Sequence, residues 1–168
     1  MPKIETKKIK WSAPPNIHAY YTTRIGGYSK SKYKYSNLSL DVGDTPSNVL
    51  KNRSDVKNSL KLPAEPCWMK QIHGLTIREM KAQNSGMICD GSFTSQSGIV
   101  CAVLSADCLP ILITNISGTF AGVIHVGWRG LEKKLIQKFI KNISNKPNSL
   151  IAWIGPSISQ KHYPIQED

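Results

Sequence analysis

Apolar positions along the chain recur in blocks, some alternating and some at helical spacing, separated by glycine, proline, serine and asparagine. Residues 18–24, HAYYTTR, are rich in β-branched and aromatic side chains and are closed by Gly26-Gly27; they predict a strand, followed by a polar, tyrosine-rich loop to Ser36. From Thr45, an N-cap candidate ahead of Pro46, the segment PSNVLKNRSDVKNSL spaces Val49, Val56 and Leu60 as one helical stripe, and Arg53 falls within it. Beyond the Leu62-Pro63 break, CWMKQI (67–72) and LTIREM (75–80) predict strands on either side of His73-Gly74. IVCAVL (99–104), PILITNI (110–116) and TFAGVIHV (119–126) predict three more, the last two joined at Ser117-Gly118 as an antiparallel pair. LEKKLIQKFIKNI (131–143) puts Leu131, Leu135, Ile136, Phe139, Ile140 and Ile143 on one helical face. LIAWI (150–154) predicts a further buried strand, ended by Gly155-Pro156.

Strands outnumber helices and the order is mixed, which predicts an α+β fold: a single domain over residues 1–168, with a largely antiparallel or mixed sheet and packed helices. A chain of 168 residues buries about 70% of the surface it would expose unfolded, so it holds a core without staples. Composition narrows the setting further. No stretch approaches the ~18 apolar residues of a membrane helix, and the basic start MPKIETKKIKW lacks the apolar region of a secretory signal. The expected location is therefore the cytoplasm, with Cys67, Cys89, Cys101 and Cys108 reduced. The formal charge of +11 would suit a nucleic-acid binder, but the lysines are scattered rather than interleaved with aromatics in one stripe. Neither nucleic acid nor membrane is an expected partner.

Three stretches set reactive side chains where strands give way to turns: His73 in QIHG, Cys108 in SADCLP and His125 in IHVGWRG. Two imidazoles and a thiolate match the nitrogen and sulfur preference of zinc. Structural zinc sites draw ligands in tight pairs, whereas these three are well separated in sequence and would leave a fourth position for water or substrate. A hydrogen-bonded structural histidine and a small buried thiol are the competing readings for each residue alone. Asp107 could orient a ligand or take a proton, or simply form the turn before Pro110. Arg53 could snorkel, or hold an anion with its fork of donors. Arg129, beside Trp128 at a helix start, fits an anion site or a salt bridge across the turn, and Trp128 fits either a stacking surface or the core.

Together, TTRIGG (22–27), Asn52-Arg53, QIHG (71–74), ADCLPIL (106–112), HVGWRG (125–130) and WIGPSI (153–158) resemble, in order and spacing, one family. Its members are called multicopper polyphenol oxidoreductases, laccase-like or YfiH/YlmD proteins, and peptidoglycan editing factors. The resemblance runs from about residue 11 onward. It implies a mixed α/β sandwich-like fold and a zinc ion held by His73, Cys108 and His125, with phosphorolysis of adenosine, inosine, guanosine and methylthioadenosine and deamination of adenosine. Purine nucleosides and phosphate are then the expected small-molecule partners, Arg53 and Arg129 the candidate phosphate contacts, and Asp107 the candidate for proton transfer. The chain departs from the family in CDGSFT (89–94), where an A-D-A-like stretch is usual, and in LEKK after WRG. Family members also continue past the GP-I motif, so the expectation is a domain lacking their C-terminal segment. Three alternatives stay open: a copper-dependent polyphenol oxidase, for which four histidines are few; a peptidoglycan-precursor editing hydrolase; and a non-catalytic metal-binding module.

Overall fold

The structure, a computed structural model, describes residues 3–82, 84–143 and 147–163. In chain order its elements are β1 (Thr6–Lys8), β2 (Tyr20–Thr22), α1 (Pro46–Leu60), β3 (Cys67–Trp68), β4 (Ile77–Glu79), β5 (Gly91–Thr94), β6 (Cys101–Ala102), β7 (Leu109–Asn115), β8 (Ala121–Val126), α2 (Trp128–Glu132), α3 (Leu135–Asn142) and β9 (Leu150–Ile154). The turn at Ser117-Gly118 does fold β7 against β8 as an antiparallel pair, and this pair is the middle of a five-stranded sheet of order β4-β5-β8-β7-β9. Only β4 and β5 run parallel; every other contact in that sheet is antiparallel. Two small ribbons flank it, β1 with β2 antiparallel and β3 with β6 parallel. The fold is α+β with a mixed sheet, as the order of apolar blocks implies. Among the described residues no helix is long and apolar enough to cross a membrane.

Successive side chains of a strand point to opposite faces, and this alternation divides the sheet into two cores. On one face Ile111 and Ile113 of β7 and Ile124 and Val126 of β8 meet Leu135, Phe139 and Ile143, which recur every fourth residue through α3 and its C-cap. Phe139 is fully buried against the backbones of β5 and β8, because both strands carry glycine there. A Cβ on Gly122 would stand 2.7 Å from its Cζ, and one on Gly91 3.1 Å from its Cδ2. On the other face Val123 and Leu112 pack with Cys67, Met69, Met80 and Cys89. His125 follows Val123 by two residues and therefore lies on this second face. On α1, Asn52 is wholly buried and organises the tyrosine-rich loop: its amide donates to Ser29 Oγ (3.0 Å) and the Asn37 carbonyl (2.8 Å), while its oxygen accepts from the Tyr28 amide (2.8 Å).

Several expectations need correction. The predicted helix over 131–143 is interrupted: α2 ends at Glu132, Lys134 adopts a left-handed backbone (φ 60°), and only then does α3 begin. The reversal lets α3 lie along the sheet and strands Leu131 outside the buried stripe, 59% exposed. LIAWI forms β9 but at the edge of the sheet, with Ala152 and Ile154 turned to solvent. The strands expected over 18–24, 67–72, 75–80 and 99–104 shrink to β2, β3, β4 and β6, since only two or three residues of each find continuous ladder partners. Neither β1 nor β5 is predicted by the apolar pattern. Thr45 is the N-cap residue of α1, though its side chain makes no capping hydrogen bond.

Candidate metal centre

The β7–β8 register sets the first two side chains of the site. Pairing of Leu109 with Val126 and Pro110 with His125 brings Cys108, just before β7, alongside Gly127, just after β8. Gly127 keeps that corner open: a Cβ there would lie 2.9 Å from His73 Cδ2 and 3.3 Å from Cys108 Sγ. His73 enters from the loop between β3 and β4, its Nε2 3.7 Å from Cys108 Sγ and its ring 4.7 Å from that of His125, nearly perpendicular. One ligand atom from each of His73, Cys108 and His125 lies within 4.8 Å of the others, and among the described residues no other trio of histidine, cysteine or acidic side chains does so. Burial grades across the site, from exposed His73 through half-buried Cys108 to buried His125. The cluster is thus open on one side.

Two side chains that motif reading leaves without a role tie these segments together. Gln71 grips the backbone near Cys108, its amide donating to the Leu104 carbonyl (2.7 Å) and its oxygen accepting from the Leu104 amide (2.8 Å). Asp90, fully buried, accepts from the amides of Ile72 (3.3 Å), His73 (2.9 Å) and Gly74 (2.7 Å), and its Oδ1 lies 2.9 Å from His125 Nδ1. Burial opposes the Asp90 charge, but the hydrogen bonds from His125, Gly74 and Ile72 outweigh it and hold the carboxyl below its ordinary value. Asp90 lies in the CDGSFT stretch just ahead of β5, where its carbonyl accepts from the His125 amide (2.7 Å), and no apolar pattern in the sequence marks it.

The donor set fits a metal ion. His125 can present only Nε2, because Nδ1 is engaged by Asp90; His73 Nε2 already faces the thiol; and the glycine corner leaves room. Burial, then the charges of Asp107 and Asp90, push the Cys108 thiol above its ordinary value, so an ion bound there would displace a proton. Asp107 itself is exposed next to Cys108, and its carbonyl accepts from the Ile158 amide (3.0 Å). Arg129 is exposed, with its guanidinium 4.4 Å above the Trp128 ring. Arg53 is half-buried on α1, donates from Nε to the Leu38 carbonyl (2.8 Å) and lies 4.2 Å over the Trp68 ring. The trio of candidate ligands comes together, whereas Arg53 meets Leu38 and Trp68 and Arg129 meets Trp128.

All four cysteines are free. Burial raises the thiol of Cys67, and it drives Cys89 to about 11 and Cys101 to about 12. In the native metal-free protein Cys108, at the open corner, is expected to react first with an aromatic disulfide reagent, ahead of Cys101 and of the buried Cys67 and Cys89. Mass mapping of the labelled thiols checks this; comparable native labelling of Cys67, Cys89 or Cys101 would contradict it.

A mixed sheet whose strand ends converge two imidazoles and one thiol on an open corner defines an α+β protein with a candidate metal site. The family model described as multi-copper polyphenol oxidoreductase laccase matches residues 18–168, and the chain belongs to that family. It is 37% identical over 158 residues to a purine nucleoside phosphorylase of Haemophilus influenzae, covering 94% of this chain and 65% of that protein. To the purine nucleoside phosphorylase YfiH of Shigella flexneri it is 34% identical over 157 residues, covering 93% and 65%. A crystal structure of a Neisseria meningitidis protein superposes with a TM-score of 0.86 at 33% identity, covering 96% of this chain and 66% of that one. YlmD from Geobacillus stearothermophilus gives 0.79 at 26%, covering 89% and 62%. The chain spans about 65% of the length of these curated relatives.

Proposed function

We propose that the protein is a zinc-dependent purine nucleoside phosphorylase that also deaminates adenosine. The observation that carries the reading is the convergence of His73, Cys108 and His125 on an open-sided corner, in a chain whose relatives bear the name purine nucleoside phosphorylase. Two nitrogens and one sulfur suit copper as well as zinc, but four histidines are few for a multicopper oxidase, which supports zinc. Held by His73, Cys108 and His125, the ion would supply Lewis acidity toward water or substrate.

The chain's own residues supply the rest. In phosphorolysis a phosphate oxygen attacks the ribose C1′, the C–N bond to the base breaks, and the base departs with the electron pair and takes up a proton, leaving ribose 1-phosphate. Arg129 and Arg53 each carry a guanidinium over a tryptophan ring, 4.4 Å from Trp128 and 4.2 Å from Trp68, and their N–H donors would bind phosphate. Asp107, exposed beside Cys108, moves a proton between water and the departing group. In deamination water adds at the purine C6 and ammonia leaves. Adenosine, inosine, guanosine and methylthioadenosine share the purine face and the C–N bond these steps require. The domain over 1–168 is read as carrying this machinery in the cytoplasm.

Incubating the zinc-loaded protein with adenosine or inosine and phosphate tests the reading. Phosphate-dependent release of adenine or hypoxanthine with ribose 1-phosphate is expected, together with inosine from adenosine. No base release from a protein holding stoichiometric zinc would sink it. Stoichiometric copper with phenol turnover would favour the oxidase reading instead, and release of an amino acid from a peptidoglycan precursor the editing one.

A further inference from the structure

The buried carboxylate of Asp90 is shared between two of the three segments that carry the candidate ligands. On one side it lies in a nest of three successive amides, those of Ile72, His73 and Gly74, and the middle residue of that nest, His73, has a left-handed backbone (φ 57°). Side chains other than glycine adopt that conformation only where neighbouring contacts hold it. On the other side Oδ1 meets His125 Nδ1 at 2.9 Å, with both groups buried, and the backbones of the two residues are joined by a bond from the His125 amide to the Asp90 carbonyl (2.7 Å). An ionised carboxylate only accepts, so Nδ1 is the donor in this contact and Nε2 is the nitrogen left to face an ion.

We propose that Asp90 is the positioning residue of the centre: one carboxylate fixes the tautomer of His125 and the backbone of His73 together, so that both imidazoles are aimed before an ion arrives. The inference rests on the metal reading above and deepens it. Asp90 touches neither substrate nor ion; it acts through the two histidines. The isosteric change Asp90→Asn separates the two duties. If the new NH2 replaces Oδ1, it confronts the His73 amide and donates to His125 Nδ1, which moves the imidazole proton to Nε2. If it replaces Oδ2, it confronts the amides of Ile72 and Gly74 and releases the loop. Either orientation spoils one histidine.

The test begins with the unsubstituted chain. In metal-free, 15N-labelled protein the His125 imidazole is expected with its proton on Nδ1. Asp90→Asn should then shift that tautomer or lose the His73 conformation, and weaken Co2+ binding by about 10–100-fold with an altered visible spectrum. A merely structural role would change the unfolding midpoint without moving the tautomer or the spectrum. A proton on Nε2 in the metal-free wild type overturns the proposal even if Asp90→Asn fails to fold. So does a folded Asp90→Asn protein with wild-type Co2+ affinity and spectrum. Failure of a Co2+-binding wild type to cleave nucleosides would sink the phosphorolysis reading alone, whereas a wild type that binds neither Co2+ nor Zn2+ removes both.

Discussion

Cys108→Ser is expected to abolish stoichiometric zinc binding and phosphate-dependent nucleoside cleavage while leaving the fold intact. The thiol is half-exposed and its side chain has one close partner in the cluster, His73 Nε2, so replacing sulfur by oxygen disturbs little packing. It nevertheless removes the sulfur donor and the only anionic ligand of the trio. Among the described residues no second cluster stands ready to take over. His125→Ala should cost the metal as well, but it also leaves the buried Asp90 without its partner, and a loss of stability will accompany it. The raised thiol of Cys108 adds a pH signature. Because the free thiol is protonated and the ligand is not, apparent affinity should climb with pH by about tenfold per unit while that proton remains to be displaced. Metal content after dialysis, competition with a chromophoric chelator across pH, and thermal unfolding check these results. One retained equivalent of zinc at wild-type affinity in Cys108→Ser would refute the ligand assignment.

Phe139→Ala should destabilise the domain by about 3–5 kcal/mol, a large part of the roughly 5–15 kcal/mol that holds a typical domain folded. The ring is fully buried and rests on the backbone of two neighbouring strands at Gly91 and Gly122, positions with no side chain of their own to fill the cavity its removal opens. The converse substitution, Gly122→Ala, drives a methyl to 2.7 Å from the ring and must displace α3 or β8. Since β8 continues from Gly122 to His125, the shift should be felt at the ligand. Urea unfolding measures the first effect, and a loss below about 1 kcal/mol would show that the core closes over the gap.

The parts of the molecule that could be read from sequence are those whose physics is local. The 46–60 helix was bounded by a proline at its start and an apolar stripe along its length, and α1 has those limits. The β7–β8 hairpin announced itself through two apolar runs and a turn. His73, Cys108 and His125 stood out because a reactive side chain at the end of an apolar strand is conspicuous, and the structure gathers them at one corner. What escaped depends on tertiary partners. Gly91-Ser92-Phe93-Thr94 has no apolar alternation to advertise β5, since its glycine exists to seat Phe139. Periodicity continued straight through Lys133-Lys134, where the chain turns to lay α3 on the sheet. LIAWI is as apolar as a central strand, and an apolar run says nothing about how many neighbours a strand has. Asp90 appeared as a departure from a motif, and its importance comes from three amides and an imidazole that lie 16 to 35 residues away.

The long reach of Gln71 also has a kinetic meaning. Its two bonds to Leu104 span 33 residues, and His73 meets Cys108 across 35. Contacts of that separation close large loops and are made late in folding, after local turns and helices. Unlike a ligand pair spaced a few residues apart, this corner therefore offers an ion no foothold on the unfolded chain. Metal capture comes after the sheet is assembled, and the ion binds the native state alone. The melting temperature should consequently rise with free zinc concentration, while the folding rate stays the same with or without it.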